Sequence, residues 1–294
     1  MEYRTLGRSG LKVSAGWLGT ANFGPGGGPA GCDDAEAGRI VAAFLDAGHN
    51  VIDTGGDPEE MVGRALRGRR DAVVLATKAF PPPAAEPSAT LDGFVRSGKV
   101  RYLGACNLTA AEVVEAGWAA QRGNAVPLIS LQSQYSLLAR GIEAEILPAC
   151  DRHGLGVAAW SPLAGGVLTG RYRDGATPHP DSRIGRMLAA PDPRVHTMVD
   201  RLLDGRNADL IDELVRTAAE LGTSPVAVAI AWIRQRPGVT SVIIGPRAVG
   251  HLDANLRGLS LDLPPETAKR LDDLSWSPAL VPVTGVGLTA LARR

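Results

Sequence analysis

Two ionisable residues stand at the ends of apolar runs, where a backbone holds a side chain firmly. Asp53 closes Val51-Ile52-Asp53, and Lys78 ends the segment VVLATK. Opposite charges at the ends of neighbouring strands attract each other. An amine held in apolar surroundings gives up its proton more readily than in water and then works as acid, base or nucleophile. The pair has a second reading, a retained salt bridge that satisfies two polar groups and does no chemistry. Asp57, Glu59 and Glu60 follow Asp53 in GGDPEE. One of them is a candidate acid, but the favoured reading is a helix start, with Asp57-Pro58 as the cap and two acids in the first turn. Tyr135 offers an O–H after a later apolar run. His179 and His196 titrate near neutral pH, and a solvated loop position is the favoured reading for both.

These groups need elements to place them. Short apolar runs recur at 15–18, 51–52, 73–76, 100–103, 128–131, 157–160 and 242–244. Between them lie helical patterns at 35–47, 59–66, 88–97, 110–120, 142–152, 208–221 and 225–234. Asp33 or Asp34, Thr109 and Ser224-Pro225 supply start signals. Strands alternating with helices imply βαβ units and a parallel sheet. One domain over residues 1–294 fits a TIM-like (β/α) barrel, and no GxGxxG follows a strand, which argues against a dinucleotide-binding doubly wound sheet. The opening segment 3–13 reads as a hairpin, with Gly7, Ser9 and Gly10 as turn residues, placed to plug the barrel bottom. Only seven strands are recognisable where a barrel has eight. The stretch 79–99 is too short for its share, so one βα unit is missing there. Residues 161–209, rich in Gly, Pro, Arg and His, read as a long loop over the C-terminal face, its arginines a charged lid. Two further loops are expected at 24–31 (GPGGGPAG) and 80–87 (FPPPAAEP).

Composition removes several function classes. Lys+Arg and Asp+Glu are equal at 31 each over 294 residues, so no overall basic field exists for nucleic acid or anionic lipid. No apolar run is long enough for a membrane span. Cys32, Cys106 and Cys150 form no CxxC and no His cluster, so neither a disulfide framework nor a metal site is expected, and a reduced cytoplasmic setting is.

Several segments together resemble the aldo-keto reductase family, nearly end to end and in family order. They are MEYRTLGRSGLKVS with LGTANFG, GHNVIDT, VVLATK, GKVRYLGACN, LQSQYSLLAR, GVAAWSPLAGGVLTGRY and SVIIGPRAVGHLDANL. The resemblance implies NADP(H)-dependent carbonyl chemistry at the C-terminal mouth of a barrel. The family uses an Asp, a Tyr, a Lys and a His there. Asp53 and Lys78 match the Asp and the Lys. The Tyr is absent from the shortened loop after Asp53, and the His belongs to the missing unit. General-acid help is worth roughly 10²–10⁴-fold, so ordinary carbonyl reduction is not expected. By the same resemblance, Asn107 and Gln132 hold the nicotinamide carboxamide, and Trp160 stacks on the ring. Ser161, Leu163, Gly165 and Gly166 line the pyrophosphate. Gly245, Arg247 and Asn255 meet the adenosine-phosphate end. Cys106 stands where a Ser is usual and Ala254 where an acid is. Tyr135 matches a structural tyrosine, and Trp17, Trp118, Trp232 and Trp276 read as packing residues.

Three readings stay open. One is an enzyme acting on a small-molecule substrate by elimination, isomerisation, cyclisation or atypical reduction, as a tailoring step of secondary metabolism. Another is a non-catalytic cofactor-sensing or partner-binding protein. The last is a reductase with a substitute proton donor. The strand edges left by the missing unit need a cover, and a homodimer is the expected one.

Overall fold

The computed structural model describes residues 2–24, 31–78, 87–173 and 176–275. Most of the 24–31 loop, the 80–87 loop up to its last residue, and Trp276 lie outside the described residues. The chain opens with a hairpin, β1 (Tyr3–Thr5) antiparallel to β2 (Lys12–Ser14). Seven parallel strands follow, β3 (Gly16–Gly19), β4 (Val51–Asp53), β5 (Val74–Ala76), β6 (Leu103–Cys106), β7 (Leu128–Gln134), β8 (Gly156–Trp160) and β9 (Val239–Ile244). Their order is β5-β4-β3-β9-β8-β7-β6. This is the α/β barrel pattern expected from the sequence, with the first strand bonded to the last and, among the described residues, β5 and β6 left as the two unpaired ends.

Helices join the strands where local chemistry starts and stops them. α1 (Asp34–Asp46) begins at Asp33, whose carboxylate accepts from the Glu36 amide. α2 (Pro58–Ala65) and α3 (Pro87–Arg96) flank β5. α4 (Ala110–Arg122) starts with a capping box in which Thr109 and Glu112 satisfy each other's backbone N–H. α5 (Ile146–His153) stops at Gly154 with φ 76°. Within 161–209, expected to be loop, two helices form: α6 (Arg183–Ala189) and α7 (Pro193–Leu202). Ser182 and Asp192 cap them, and Ile184 and Val199 are wholly buried beneath. α8 (Ala208–Glu220) and α9 (Pro225–Arg234) precede β9; α10 (Val249–Ser260) and α11 (Pro265–Ser275) follow it. Ser224 caps α9 with Pro225 in its first turn.

Two apolar layers result. The outer one, between strands and helices, holds Phe44, Leu131, Tyr135, Leu214 and Trp232. The inner one fills the lumen with Trp17, Val51, Ala158 and Ile243, closed below by Leu6 and Val13 of the hairpin. The plug is tight. Gly7 has φ 57°, and a Cβ there would lie 2.3 Å from the Gly154 carbonyl oxygen. Arg8 N donates to that same oxygen at 2.9 Å.

The open side shows in the burial of β6. Gly104 and Cys106 pair with Ser130 and Gln132 and share their lumen side, yet both are exposed, while the outward Leu103 is buried. In a closed barrel the reverse holds. Trp118, expected to pack, is instead 56% exposed on α4.

His49 precedes β4 at the barrel bottom and stacks on Phe44 with ring centroids 4.6 Å apart. Burial pushes its pKa down to about 4 against a hydrogen bond with Gly16. Between that value and the ordinary value of about 6.5, the unfolded chain binds a proton that the folded one refuses. Stability therefore falls as pH drops from about 6.5 to about 4. The thermal midpoint is expected to decline across this window, and His49→Gln to flatten the decline. An unchanged slope in that variant would assign the acid sensitivity to other groups.

Candidate active site

Parallel strands end on one rim, so residues far apart in sequence meet at the barrel mouth. Asp53 ends β4, Lys78 lies two residues past β5, and Gln132 stands near the end of β7. Asp53 Oδ1 accepts from Lys78 Nζ at 2.6 Å and from Gln132 Nε2 at 2.7 Å. Lys78 Nζ also donates to the Thr54 carbonyl oxygen at 3.1 Å. Asp53 is 8% exposed, whereas the Lys78 side chain keeps 33% of its surface in contact with solvent. The carboxylate is thus anchored and the ammonium left reachable.

The shortened loop after β4 lies on the lysine stem. A Cβ at Gly55 would sit 3.3 Å from Lys78 Cδ, so the residue against the lysine stem carries no side chain. The chain has four tyrosines, and none bonds to Lys78 or Asp53. Tyr135 is wholly buried, and its hydroxyl donates to Glu143 Oε1 at 2.5 Å. Burial and that carboxylate push its pKa well above the usual phenol range. Tyr3 donates to the Gly48 carbonyl at the far end. The histidines stand apart too: His179 is exposed in its loop, and His196 Nε2 contacts the Ala190 carbonyl at 2.7 Å. Asp57 takes the cap position of α2 but makes no side-chain cap bond, a correction to the expected cap, and Glu59 accepts from Thr77 Oγ1.

The residues expected to meet a nicotinamide lie together. Trp160 Nε1 donates to Asn107 Oδ1 at 2.9 Å, which fixes the Asn107 amide and leaves its NH₂ group unbonded among the described residues. Asn107 has φ 58° and Ser161 φ 57°, turning the chain sharply off the strand ends. Left-handed backbone continues at Ala164, Gly165 and Gly166 beside Leu163, a curled loop in which the Ala164 and Gly166 amides donate to the Ser161 and Leu163 carbonyls. Cys106 Sγ lies 3.7 Å from Gln132 Oε1. Its thiol pKa is raised, by the desolvation of the sulfur at the rim and by Asp53, with Lys78 opposing.

The far end of the groove carries a mixed charge. Gly245 O accepts from Asn22 Nδ2 at 2.7 Å, and Arg247 Nη1 donates to the Asp181 carbonyl oxygen at 3.3 Å. Asn255 is buried on α10. Burial lowers the pKa of His251, and Arg247 and Arg171 lower it further. Against these cations stands Glu36, whose Oε1 accepts from Val249 N at 2.7 Å and so occupies the start of α10. Glu36 and Arg171 were not legible as site residues. They reach the groove from α1 and from the turn after 169, with no local motif to mark them. The lid arginines Arg194 and Arg206 pair with Asp192 and Asp204 two residues before them, in keeping with a charged lid face.

The aldo/keto reductase family model matches residues 17–90 and 83–275. The chain belongs to the aldo/keto reductase family. The match breaks into two pieces between β5 and β6, at the open side of the barrel. An uncharacterised oxidoreductase of Bacillus subtilis, YrpG, is 32% identical over 95% of this chain and 97% of its own length. That alignment runs to 344 positions, more than the whole chain, so the relative carries stretches that this one lacks. A probable voltage-gated potassium channel subunit beta of Oryza sativa is 29% identical over 92% of this chain and 96% of its own. The norsolorinic acid reductase of Aspergillus flavus is 27% identical over 92% and 80%.

The opening has a direct chemical readout. Cys106 is exposed, whereas Cys32 and Cys150 are buried and burial pushes the Cys150 thiol up to about 11. One thiol per native chain is expected to react with a disulfide reagent, faster as pH rises, and three after denaturation. Three at once in the native state would mean that the core thiols are accessible.

Proposed function

We propose that this chain binds NADP(H) across its barrel mouth and acts on a small molecule through Lys78 and Asp53, without tyrosine- and histidine-assisted carbonyl reduction. One observation carries the reading: the Lys78–Asp53–Gln132 network is intact, while no tyrosine or histidine bonds to it. The residues fit the cofactor at the nicotinamide end. Asn107 would offer its NH₂ group to the carboxamide, Trp160 its ring face, and the 161–166 turn its curled backbone. Arg247 and Arg171 would meet phosphate, with Glu36 opposing them. When bound, the nicotinamide supplies hydride transfer.

The protein's own contribution is to hold one amine at a carboxylate and expose it. Lys78 can move a proton at Nζ or bind an anionic oxygen, and Asp53 Oδ1 keeps it aimed by accepting one hydrogen bond from it and another from Gln132. Elimination, isomerisation and cyclisation need only such proton movements. A reduction would need a substitute donor for the product oxygen. The relatives named norsolorinic acid reductase favour a tailoring step on a small molecule. A second reading, a cofactor-sensing protein without turnover, draws on the relatives named potassium channel subunit beta.

NADPH titration is expected to quench tryptophan emission with saturable micromolar binding, while simple aldehydes are reduced roughly 10²–10⁴-fold more slowly than by a tyrosine-bearing relative. Lys78→Met should abolish turnover of any substrate found and leave NADPH affinity nearly unchanged. Unaltered turnover would remove the amine from the chemistry. Glu36→Gln should tighten NADPH binding about two- to fivefold, since a charge beside an exposed helix end is worth about 0.3–1 kcal/mol. Looser binding in that variant would mean that Glu36 shapes the groove more than it repels phosphate.

A further inference from the structure

We propose that the open side of the barrel is a docking groove for an extended acidic segment of a partner protein, which lies as an added strand between β5 and β6. Among the described residues, β5 pairs only with β4, and β6 only with β7. Two strands running the same way thus present free edges to one gap, and unpaired edges are templates for strand addition. The lumen-facing Gly104 and Cys106 are exposed along it.

Charge selects the occupant. The turns that feed β5, β6 and β7 lie at the barrel bottom. The approaches to β6 and β7 are joined, since Val126 N donates to Asp92 and Arg96 to the Asn124 carbonyl. They carry Lys99, Arg101 and Arg122, and the turn that feeds β5 carries Arg67 with the acid Asp71, the four cations exposed and none of them in an ion pair among the described residues. This is a local cationic rim on a chain whose charges otherwise balance. Two exposed aromatics adjoin it. Trp118 is 56% and Tyr102 42% exposed, and the Arg122 guanidinium sits 5.9 Å from the Trp118 ring centre. Large aromatics and arginine are the residues enriched at interfaces. A second copy related by a twofold axis would press this rim against itself, so the homodimer expected from the sequence is the poorer occupant here. Nucleic acid would use the cations but leave the strand edges unmatched.

The polarity of the guest follows. A segment parallel to β5 and β6 starts at the cationic rim and ends at the mouth. Its acids therefore belong in its N-terminal half, and β-branched residues in its C-terminal half.

The test uses the full-length chain and a capped fluorescent peptide, Asp-Glu-Asp-Glu-Val-Thr-Val-Thr, with its reversed order as control. Saturable binding that weakens with added salt is expected, with the reversed peptide about tenfold weaker, a difference of about 1.4 kcal/mol. Backbone amides of 74–76 and 103–106 should exchange more slowly in the complex. Arg101→Glu with Arg122→Glu should weaken binding about tenfold at an unchanged melting temperature; Lys99→Glu serves if that pair melts early. Equal binding of both peptide orders, unchanged exchange at the two edges, tighter binding of a single-stranded oligonucleotide, or a dimer in sedimentation that protects these edges would each overturn the proposal.

Discussion

A parallel strand carries hydrogen-bonding groups on both edges, and a barrel satisfies them by returning on itself. Among the described residues this chain has seven such strands, joined in one row in which β3 meets β9. Much of the rest follows from that incomplete ring. Because the strands are parallel, their C-terminal ends still form one rim, and Asp53, Lys78, Gln132 and Trp160 still meet there. Because the ring is interrupted, the lumen has a side as well as a top and a bottom. The bottom is sealed by the hairpin, and among the described residues the side is left to Gly104 and Cys106.

Asp53 is the hub of the mouth. A nearly buried carboxylate is costly unless bonded, and a single oxygen here accepts from both Lys78 and Gln132. Gln132 then presents its own oxygen toward Cys106, and Asn107 is held by Trp160. The polar groups of the rim thus orient one another without a tyrosine. The loop after β4 places Gly55 against the lysine stem and leaves the amine itself reachable.

Much of this was legible in the residues. The apolar runs located six of the seven parallel strands and touched β6 at Leu103 alone, and their count of seven is the count among the described residues. Caps at Asp33, Thr109 and Ser224 were readable because capping is local chemistry. The misses have physical causes. α6 and α7 were read as loop because Gly, Pro and Arg dominate the stretch, although Ser182 and Asp192-Pro193 are start signals. Trp118 was assigned to packing by its type, but it lies on an exposed face of α4 beside the Arg122 guanidinium. The bond between Glu36 and Val249 joins residues 213 apart and has no local signature. The sites of Asp53 and Lys78 were found because strand ends mark position in one dimension. Which groups approach the lysine needed three.

The pairing of β3 with β9 ties the beginning of the chain to its end. Ser241 Oγ donates to the Ser14 carbonyl, 227 residues away, and Arg4 reaches the Val239 carbonyl at 2.8 Å. During synthesis, the first parallel strand therefore waits for the last before its second edge is covered. Contacts of such separation slow folding. An emerging chain of this design holds a growing sheet with unsatisfied borders until its final fifth leaves the ribosome. The same join means that no fragment ending before β9 can seal the lumen, so this barrel is completed late and as a whole.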